Sequence, residues 1–390
     1  MAIKISELLQ SISEKEMKLV AGKKGINNIV RWVHMVEHKD ITFYLKGQEV
    51  AIITGIALEK AEDLFDLVKR IYNNDASGVI INVGPYIDKI PEEIIKFCDE
   101  NDFPLFESPW HVYMAEVMRK FSYEITLSLQ SNLELAGIFK NAIFFQDVLE
   151  LYIPQLKKNN FREEWSYCLA VIEILKEDGV HIIDKKKRTL ILKNIENIVT
   201  YNHERTFVFE SDGRFILVFA NYSEEKIKSI VETVKNKCMH LLTKNEKMYF
   251  CIGKASKNIK CIAKSHRKAL DVLKIQKIND CKNEVTMYSD LGAYKLLLSI
   301  DDREIINEYY QETIEPLVKY DQLNGTDYVL VLDTYLKYNG SLKEVATQLF
   351  YHRNTINYKL NKIQEILSCD LSELNTRLLL ILGLMLRKTM

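Results

Sequence analysis

The spacing of apolar residues changes several times along this chain, and each change predicts a different kind of element. Glu49-Val50-Ala51-Ile52-Ile53 and Gly78-Val79-Ile80-Ile81-Asn82-Val83 are β-branched runs with few polar interruptions, the pattern of strands buried on both faces. Residues 58 to 72 between them carry apolar positions at helical spacing, so the order is βαβ and predicts a parallel sheet. Residues 91 to 100 predict another helix, and Pro104-Leu105-Phe106 a short strand. From 113 to about 156 the helical period runs on with few breakers, which predicts a long connecting helix or helical hairpin. Strand patterns return at 167–175, 206–210, 214–219 and 248–253, with helices predicted at 224–242 and 259–273. Asp212-Gly213 between two of these runs is a strong hairpin signal.

The C-terminal third is helical in period. Leu342, Val345, Ala346 and Leu349 fall at i, i+3, i+4 and i+7, and Ile356, Leu360, Ile363 and Leu367 repeat the pattern after a break at Phe350 to His352. Asn339-Gly340 can stop the preceding helix, and Ser341 with Glu344 predicts a capping box at the start of the next. Two short helices joined by a tight turn, at 341–367, make a helix-turn-helix. Asn354, Asn357, Tyr358, Asn361 and Lys362 point away from the apolar stripe of the second helix. Residues 337 to 362 hold five Lys or Arg and one Glu, although the whole chain has a net charge of -1, so positive charge is concentrated where a phosphate backbone would lie. Arg353, Asn354 and Asn357 have the chemistry to read base edges, with Thr355 and Tyr358 beside them. Lys343, Lys359 and Lys362 suit phosphate contacts, which fix register without choosing sequence. His352, in the turn, suits a backbone or phosphate contact. The bland alternative is a helical hairpin with a solvated basic face.

Leu349-Phe350-Tyr351-His352-Arg353-Asn354-Thr355-Ile356-Asn357-Tyr358-Lys359-Leu360 resembles the C-terminal helix-turn-helix of the PucR/CdaR-type bacterial transcription regulators. The resemblance extends upstream through Leu291 to Leu297, Glu315-Pro316-Leu317, Tyr320-Asp321 and Gly325-Thr326. At the other end, Gly22-Lys23-Lys24-Gly25, Arg31 to Glu37, Thr54-Gly55 and Pro104-Leu105-Phe106-Glu107 are similar to the family's N-terminal domain. The middle segment resembles the family's GGDEF-like domain. Nucleotide cyclases of that fold carry a Gly-Gly-acid-acid-Phe turn, whereas Ser211-Asp212-Gly213-Arg214-Phe215 lacks the second glycine and the acid pair. Phosphoryl chemistry without metal-holding carboxylates loses its electrostatic support, which argues against a cyclase.

Composition adds little: 47% hydrophobic and 27% charged residues are ordinary for a globular chain of several domains. The first residues turn polar at once, and the longest apolar run, Leu378 to Leu386, is nine residues, too short to span a bilayer. That run can serve either as a dimer contact or as the core face of the last helix. Seven scattered cysteines without a Cys-x-x-Cys pair predict reduced thiols. His34-Met35-Val36-Glu37-His38 fits a zinc-peptidase pattern, but its β-branched neighbours predict an extended segment, in which the two histidines would stand about 13 Å apart. Gly22-Lys23-Lys24-Gly25 lacks the spacing of a phosphate loop and predicts a tight turn.

The sequence therefore predicts a multidomain α/β plus all-α chain. Residues 1–122 form an α/β domain, 123–158 a helical connector, 159–285 a degenerate GGDEF-like domain, and 286–390 a helical DNA-binding domain. The function that follows is a cytoplasmic, sequence-specific DNA-binding regulator of a metabolic operon, not an enzyme. Its expected partners are double-stranded DNA with paired half-sites, a small-molecule effector of unknown identity and a second copy of itself. It needs no metal or cofactor and makes no membrane contact. The rival readings are a signalling adaptor that binds no DNA, and a zinc- or nucleotide-dependent enzyme.

Overall fold

The computed structural model describes residues 3–58, 61–176 and 184–389. The chain divides into two compact units, residues 1–250 with 255–266, and residues 251–254 with 267–390.

The first unit opens with β1 (Ile3–Lys4), the short helix α1 (Ile5–Leu8), β2 (Lys18–Ala21) and β3 (Ile29–Val30), which pairs antiparallel with β1. Then come β4 (Trp32–Met35), β5 (Glu49–Ile53), α2 (Ala61–Asn73), β6 (Gly78–Val83), α3 (Glu92–Glu100) and β7 (Leu105–Pro109). The sheet order is β2-β7-β6-β5-β4, parallel throughout except that β2 runs antiparallel to β7. The predicted βαβ pattern is thus present; residues 59 and 60, expected in the first turn of its helix, lie outside the described residues. Leu64, Leu67 and Val68 of α2 and Ile94 and Cys98 of α3 cover one face of the sheet. Val117, Phe121 and Ile125 cover the other, beside Val50, Ile52 and Ile80. Cover on both faces is why β5 and β6 read as unbroken apolar runs.

Two family-like motifs of this domain meet in space. Gly22 has φ +70°, and a Cβ placed on it would lie 2.0 Å from the carbonyl oxygen of Phe103; one on Gly25 would lie 2.0 Å from that of Asp102. The tight turn is glycine-rich because the chain before Pro104 presses against it. The zinc-like motif is explained equally locally. His34 lies in extended β4, and the Glu37 carboxylate accepts hydrogen bonds from Thr54 N (2.9 Å), Thr54 Oγ1 (2.7 Å) and Gly55 N (3.1 Å). Glu37 fastens the loop after β5, which also accounts for Thr54-Gly55.

Helix α4 (Met114–Phe144) runs 31 residues, about 46 Å at 1.5 Å per residue, and is followed by the short α5 (Ile153–Lys158). The middle layer then contains β8 (Tyr167–Lys176), α6 (Lys185–Asn202), β9 (Thr206–Ser211), β10 (Arg214–Ala220), α7 (Glu224–Cys238), β11 (Glu246–Ile252) and α8 (Ile262–Ile278). Its strands lie in the order β11-β8-β10-β9, with β10 antiparallel to both neighbours. The predicted hairpin is present, with Asp212 and Gly213 at φ 49° and 76°. Beyond that turn Arg214 Nε donates to the buried Glu173 at 2.8 Å, and Arg188 pairs with Glu210 at 3.2 Å. Residues at the degenerate cyclase turn therefore hold the sheet together. Phe139 of α4 packs on Phe161 at 5.2 Å and Phe207 at 5.7 Å, so the end of α4 belongs to the middle-layer core. Helix α6 was not anticipated: Ile191, Ile195 and Val199 are buried, but lysines and asparagines crowd its sequence.

The second unit adds β12 (Val285–Met287) and helices α9 (Tyr294–Leu297), α10 (Arg303–Thr313), α11 (Glu315–Asn324), α12 (Tyr328–Lys337), α13 (Leu342–Leu349), α14 (Arg353–Leu367) and α15 (Leu374–Thr389). The overall class is as predicted, mixed α/β followed by an all-helical C-terminal region. All seven cysteines are free thiols, and burial pushes those of Cys98, Cys168 and Cys238 up to about 12. Among the described residues no helix is long and apolar enough to cross a membrane.

The glycine contacts set a stability expectation. Gly22→Ala should destabilise the first unit by about 1–3 kcal/mol, through overpacking against backbone that cannot swing aside. Urea denaturation followed by tryptophan fluorescence reads this, because all three tryptophans lie in residues 1–250. A midpoint unchanged from wild type would contradict the packing described.

Candidate nucleic-acid interface

The helix-turn-helix stands on a helical core built by residues the sequence spaces at three and four. Val345 of α13, Ile356, Leu360 and Ile363 of α14, and Val331 and Leu332 of α12 are buried together with Ile314 and Leu317. Asp321 at the end of α11 organises the approach. Gly325 ends that helix at φ +63°, and the Asp321 carboxylate then accepts from Thr326 Oγ1 (2.5 Å), Tyr328 N (2.9 Å) and Val329 N (2.8 Å). These bonds satisfy free amides at the start of α12. The Tyr320-Asp321 and Gly325-Thr326 motifs are thus one capping device.

Helix α12 stops as predicted. Asn339 and Gly340 both have positive φ, and Gly340 N donates to Tyr335 O at 2.9 Å. The next start differs in part. Ser341 Oγ accepts from Glu344 N at 3.4 Å, but the Ser341 amide donates to Tyr338 O at 3.0 Å, so the return half of the expected capping box is not made. The tight stop of α12 has already used that donor.

The turn itself rests on Phe350, held at φ 56° and 95% exposed, with Tyr351 N donating to Ala346 O at 3.0 Å. His352 then caps α14, its Nδ1 accepting from Asn354 N at 3.3 Å. The His352 Nδ1 is thus engaged with the protein's own backbone. Arg353, Asn354, Asn357 and Tyr358 are all exposed; at about 100° per residue Asn354 and Tyr358 lie opposite the Ile356 and Leu360 stripe, Asn357 to one side and Arg353 on its flank in the first turn, and Thr355 is half-buried beside them. Lys343 is exposed on α13, and neither it nor Arg353 has an ion-pair partner among the described residues. Lys362 pairs with Glu365 at 2.5 Å on the surface, an arrangement in which the ammonium can exchange its partner readily.

Lys359 is placed differently from the expectation of a phosphate contact. Its side chain is only 15% exposed; the ammonium pairs with Asp327 and sits 4.0 Å over the Tyr351 ring, while Tyr351 Oη donates to Asp327 at 2.8 Å. At about 100° per residue Lys359 falls on the flank of the buried stripe, one step before Leu360. Asp327 and Tyr351 were missed as positioning residues because the aspartate is 32 residues away in sequence. Desolvation pushes the Asp327 carboxyl up, but the Lys359 and Tyr351 hydrogen bonds outweigh it and hold the group below its ordinary value. The Lys359 ammonium is likewise held above its ordinary value against desolvation.

Helix α15 closes the unit. Leu380 and Leu384 enter the core, and Gly383 crosses so close to α10 that a Cβ would meet Thr313 Oγ1 at 2.5 Å. Core packing therefore accounts for one side of the apolar run, whereas Leu374, Leu378 and Ile381 remain exposed at i, i+4 and i+7.

Three families match the chain in order. Residues 7–125 match the purine catabolism regulatory protein-like family, 155–275 the GGDEF-like domain and 328–386 the PucR C-terminal helix-turn-helix domain. The proline-responsive transcriptional activator PutR of Bacillus subtilis is 28% identical over 74% of this chain and 69% of its own length. The purine catabolism regulatory protein of the same organism is 24% identical over 61% of this chain, which spans 43% of that relative. The carbohydrate diacid regulator of Escherichia coli is 29% identical over 32% of each chain.

The Asp327 tie generates a pH-dependent expectation. A carboxylate depressed in the folded state contributes stability above its unfolded value, near pH 4, and loses it as pH falls through the lower folded value. A raised lysine contributes below about pH 10 and loses it above. Asp327→Asn should therefore weaken the second unit by about 1–3 kcal/mol at neutral pH, with the difference from wild type shrinking toward pH 3. Hydrogen exchange of the α14 amides measures it; equal protection in both proteins at pH 7 would rule the tie out as a stabilising contact.

Proposed function

Because the chain belongs to the PucR-type transcription regulators, we propose that α14 is its reading helix, with Arg353, Asn354 and Asn357 on base edges and Thr355 and Tyr358 at their margin. The observation that carries this reading is the uncompensated Arg353 beside exposed asparagines at the N-terminal end of α14. That is the end a helix-turn-helix inserts into the major groove, where Arg suits guanine and Asn suits adenine. Lys343 and Lys362 hold phosphates, and Lys359 contributes by fixing the angle of α14 through Asp327. His352 shares its Nδ1 with the backbone and keeps its other nitrogen for a phosphate.

The protein acts in the cytoplasm on a metabolic operon, switched by a small-molecule effector sensed in the N-terminal or middle domain. Two copies bind two half-sites about 34–36 Å apart. The exposed Leu374, Leu378 and Ile381 stripe of α15 supports a contact between copies, since an isologous pair of such stripes buries both.

Fluorescence anisotropy on upstream and randomised DNA tests the residue roles. Arg353→Ala or Asn354→Ala should each cost about 1–3 kcal/mol and relax sequence preference. Lys343→Ala or Lys362→Ala should weaken all sequences alike and reduce the salt slope by about 1. Equal, sequence-blind losses from all four would overturn the assignment. Light scattering separately checks the pair of copies: wild type should run as a dimer and Leu378→Glu/Ile381→Glu as a monomer, and a monomeric wild type with and without DNA would sink the dimer.

A further inference from the structure

Within the first unit, a cavity of about 530 Å³ opens between the two-stranded β1–β3 ribbon, α4 and the middle layer. That lies inside the range of about 300–1,000 Å³ typical of small-molecule sites. Its walls are largely apolar, with Val30 from β3, Leu129 and Leu133 from α4, and Phe207 and Phe209 from β9. The polar positions on α4 are regular. Ser128, Asn132, Ala136 and Lys140 recur every fourth residue, so they form one stripe facing the cavity, with the small Ala136 leaving room at its middle.

Most charges around the cavity are already matched. Arg31 pairs with Glu196 and donates to Gln48 Oε1 at 2.7 Å, and Glu210 is held by Arg188. Two groups are left over among the described residues. The Asn132 Oδ1 oxygen is shut off from solvent without a hydrogen-bond partner. The Lys140 ammonium stands 5.9 Å over the Phe209 ring and makes no ion pair among the described residues, while the Glu210 that lines the same cavity is paired with Arg188. A buried acceptor without a donor is costly, and a cation at the rim of an apolar cavity favours an anion there.

We propose that this cavity is the effector site, and that its ligand is a small organic acid with an apolar body and one N–H or O–H donor. The carboxylate pairs with Lys140, the donor meets Asn132 Oδ1 once that side chain rotates toward the cavity, and the apolar body fills the space between Leu133 and Phe207. The inference rests on the reading of the chain as an effector-controlled regulator, and it names where control enters. Such a ligand touches strand β3 of the N-terminal domain, α4 and strand β9 at once. Binding therefore favours whichever arrangement of the two domains brings all three walls together.

Saturation-transfer NMR on the full-length protein tests it with matched probes: phenylacetate, indole-3-acetate and N-acetyl-leucine against their primary amides. The acids should bind, the amides at least about tenfold more weakly. Lys140→Met should abolish the preference for acid over amide, Asn132→Leu should weaken the two probes that carry an N–H, and Ala136→Trp should block all of them. Circular dichroism melting of each variant checks the fold, and Lys140→Met decides the matter if the tryptophan variant does not fold. The proposal is overturned if no acid binds, if amides bind as well as acids, or if binding survives Lys140→Met unchanged. Operator binding measured without any acid separates the two readings. Retained DNA binding beside a failed probe set removes the site alone, whereas lost DNA binding removes the regulator reading.

Discussion

One helix has to satisfy two cores. The first turns of α4 place Val117, Phe121 and Ile125 against the N-terminal sheet, and its last turns place Ile138, Phe139 and Ile143 against the middle layer. A helix advances 1.5 Å and turns about 100° per residue, so both the distance and the rotation between these two buried faces are set by residue count. Burying a large apolar side chain stabilises by about 1.5–3 kcal/mol, and three such residues at each end make separation of either end from its core expensive. The middle of the helix, free of either core, exposes Leu127, Leu129 and Leu133 and supplies Ser128 and Asn132 to the cavity. A segment that belongs to neither core is where a ligand can change the balance between them with the least disruption.

The helix-turn-helix uses a different device. Its core is continuous, but α13 is only eight residues long, and the ends of its helices are set by capping groups and one ion pair. Asp321 starts α12, Asn339 and Gly340 end it, His352 starts α14, and Asp327 holds Lys359 and Tyr351. Each bond fixes a backbone direction at a helix end. The outer face of α14 is left with side chains that pack against nothing, the condition for a surface that meets a different molecule.

How much of this was legible in the sequence depended on the range of the interaction. The stripes of α13 and α14, the Asp212-Gly213 hairpin and the parallel sheet follow from periods of a few residues, and all are present. Helix α6 escaped notice because its buried face, Ile191, Ile195 and Val199, is set among lysines and asparagines that weaken the period. Lys359 looked like a surface cation because its partner Asp327 belongs to another helix start. A lysine with a buried stem reads the same as an exposed one until that partner is known. The capping box at Ser341 was half right, since the sequence signals the acceptor but not the competing carbonyl of Tyr338. The cavity was invisible altogether, because Val30, Asn132, Lys140 and Phe209 are brought together only by tertiary folding.

The pairing of Lys359 with Asp327 also separates two properties that are usually lost together. Exposed cations trade phosphate contacts against dissolved ions, so their grip on a polyanion fades as electrolyte is added. A half-buried ion pair is screened far less by the same electrolyte. The angle at which α14 is presented should thus persist in brine that strips the protein from its target, leaving a reader that has lost its hold but kept its shape, ready to bind again on dilution without refolding.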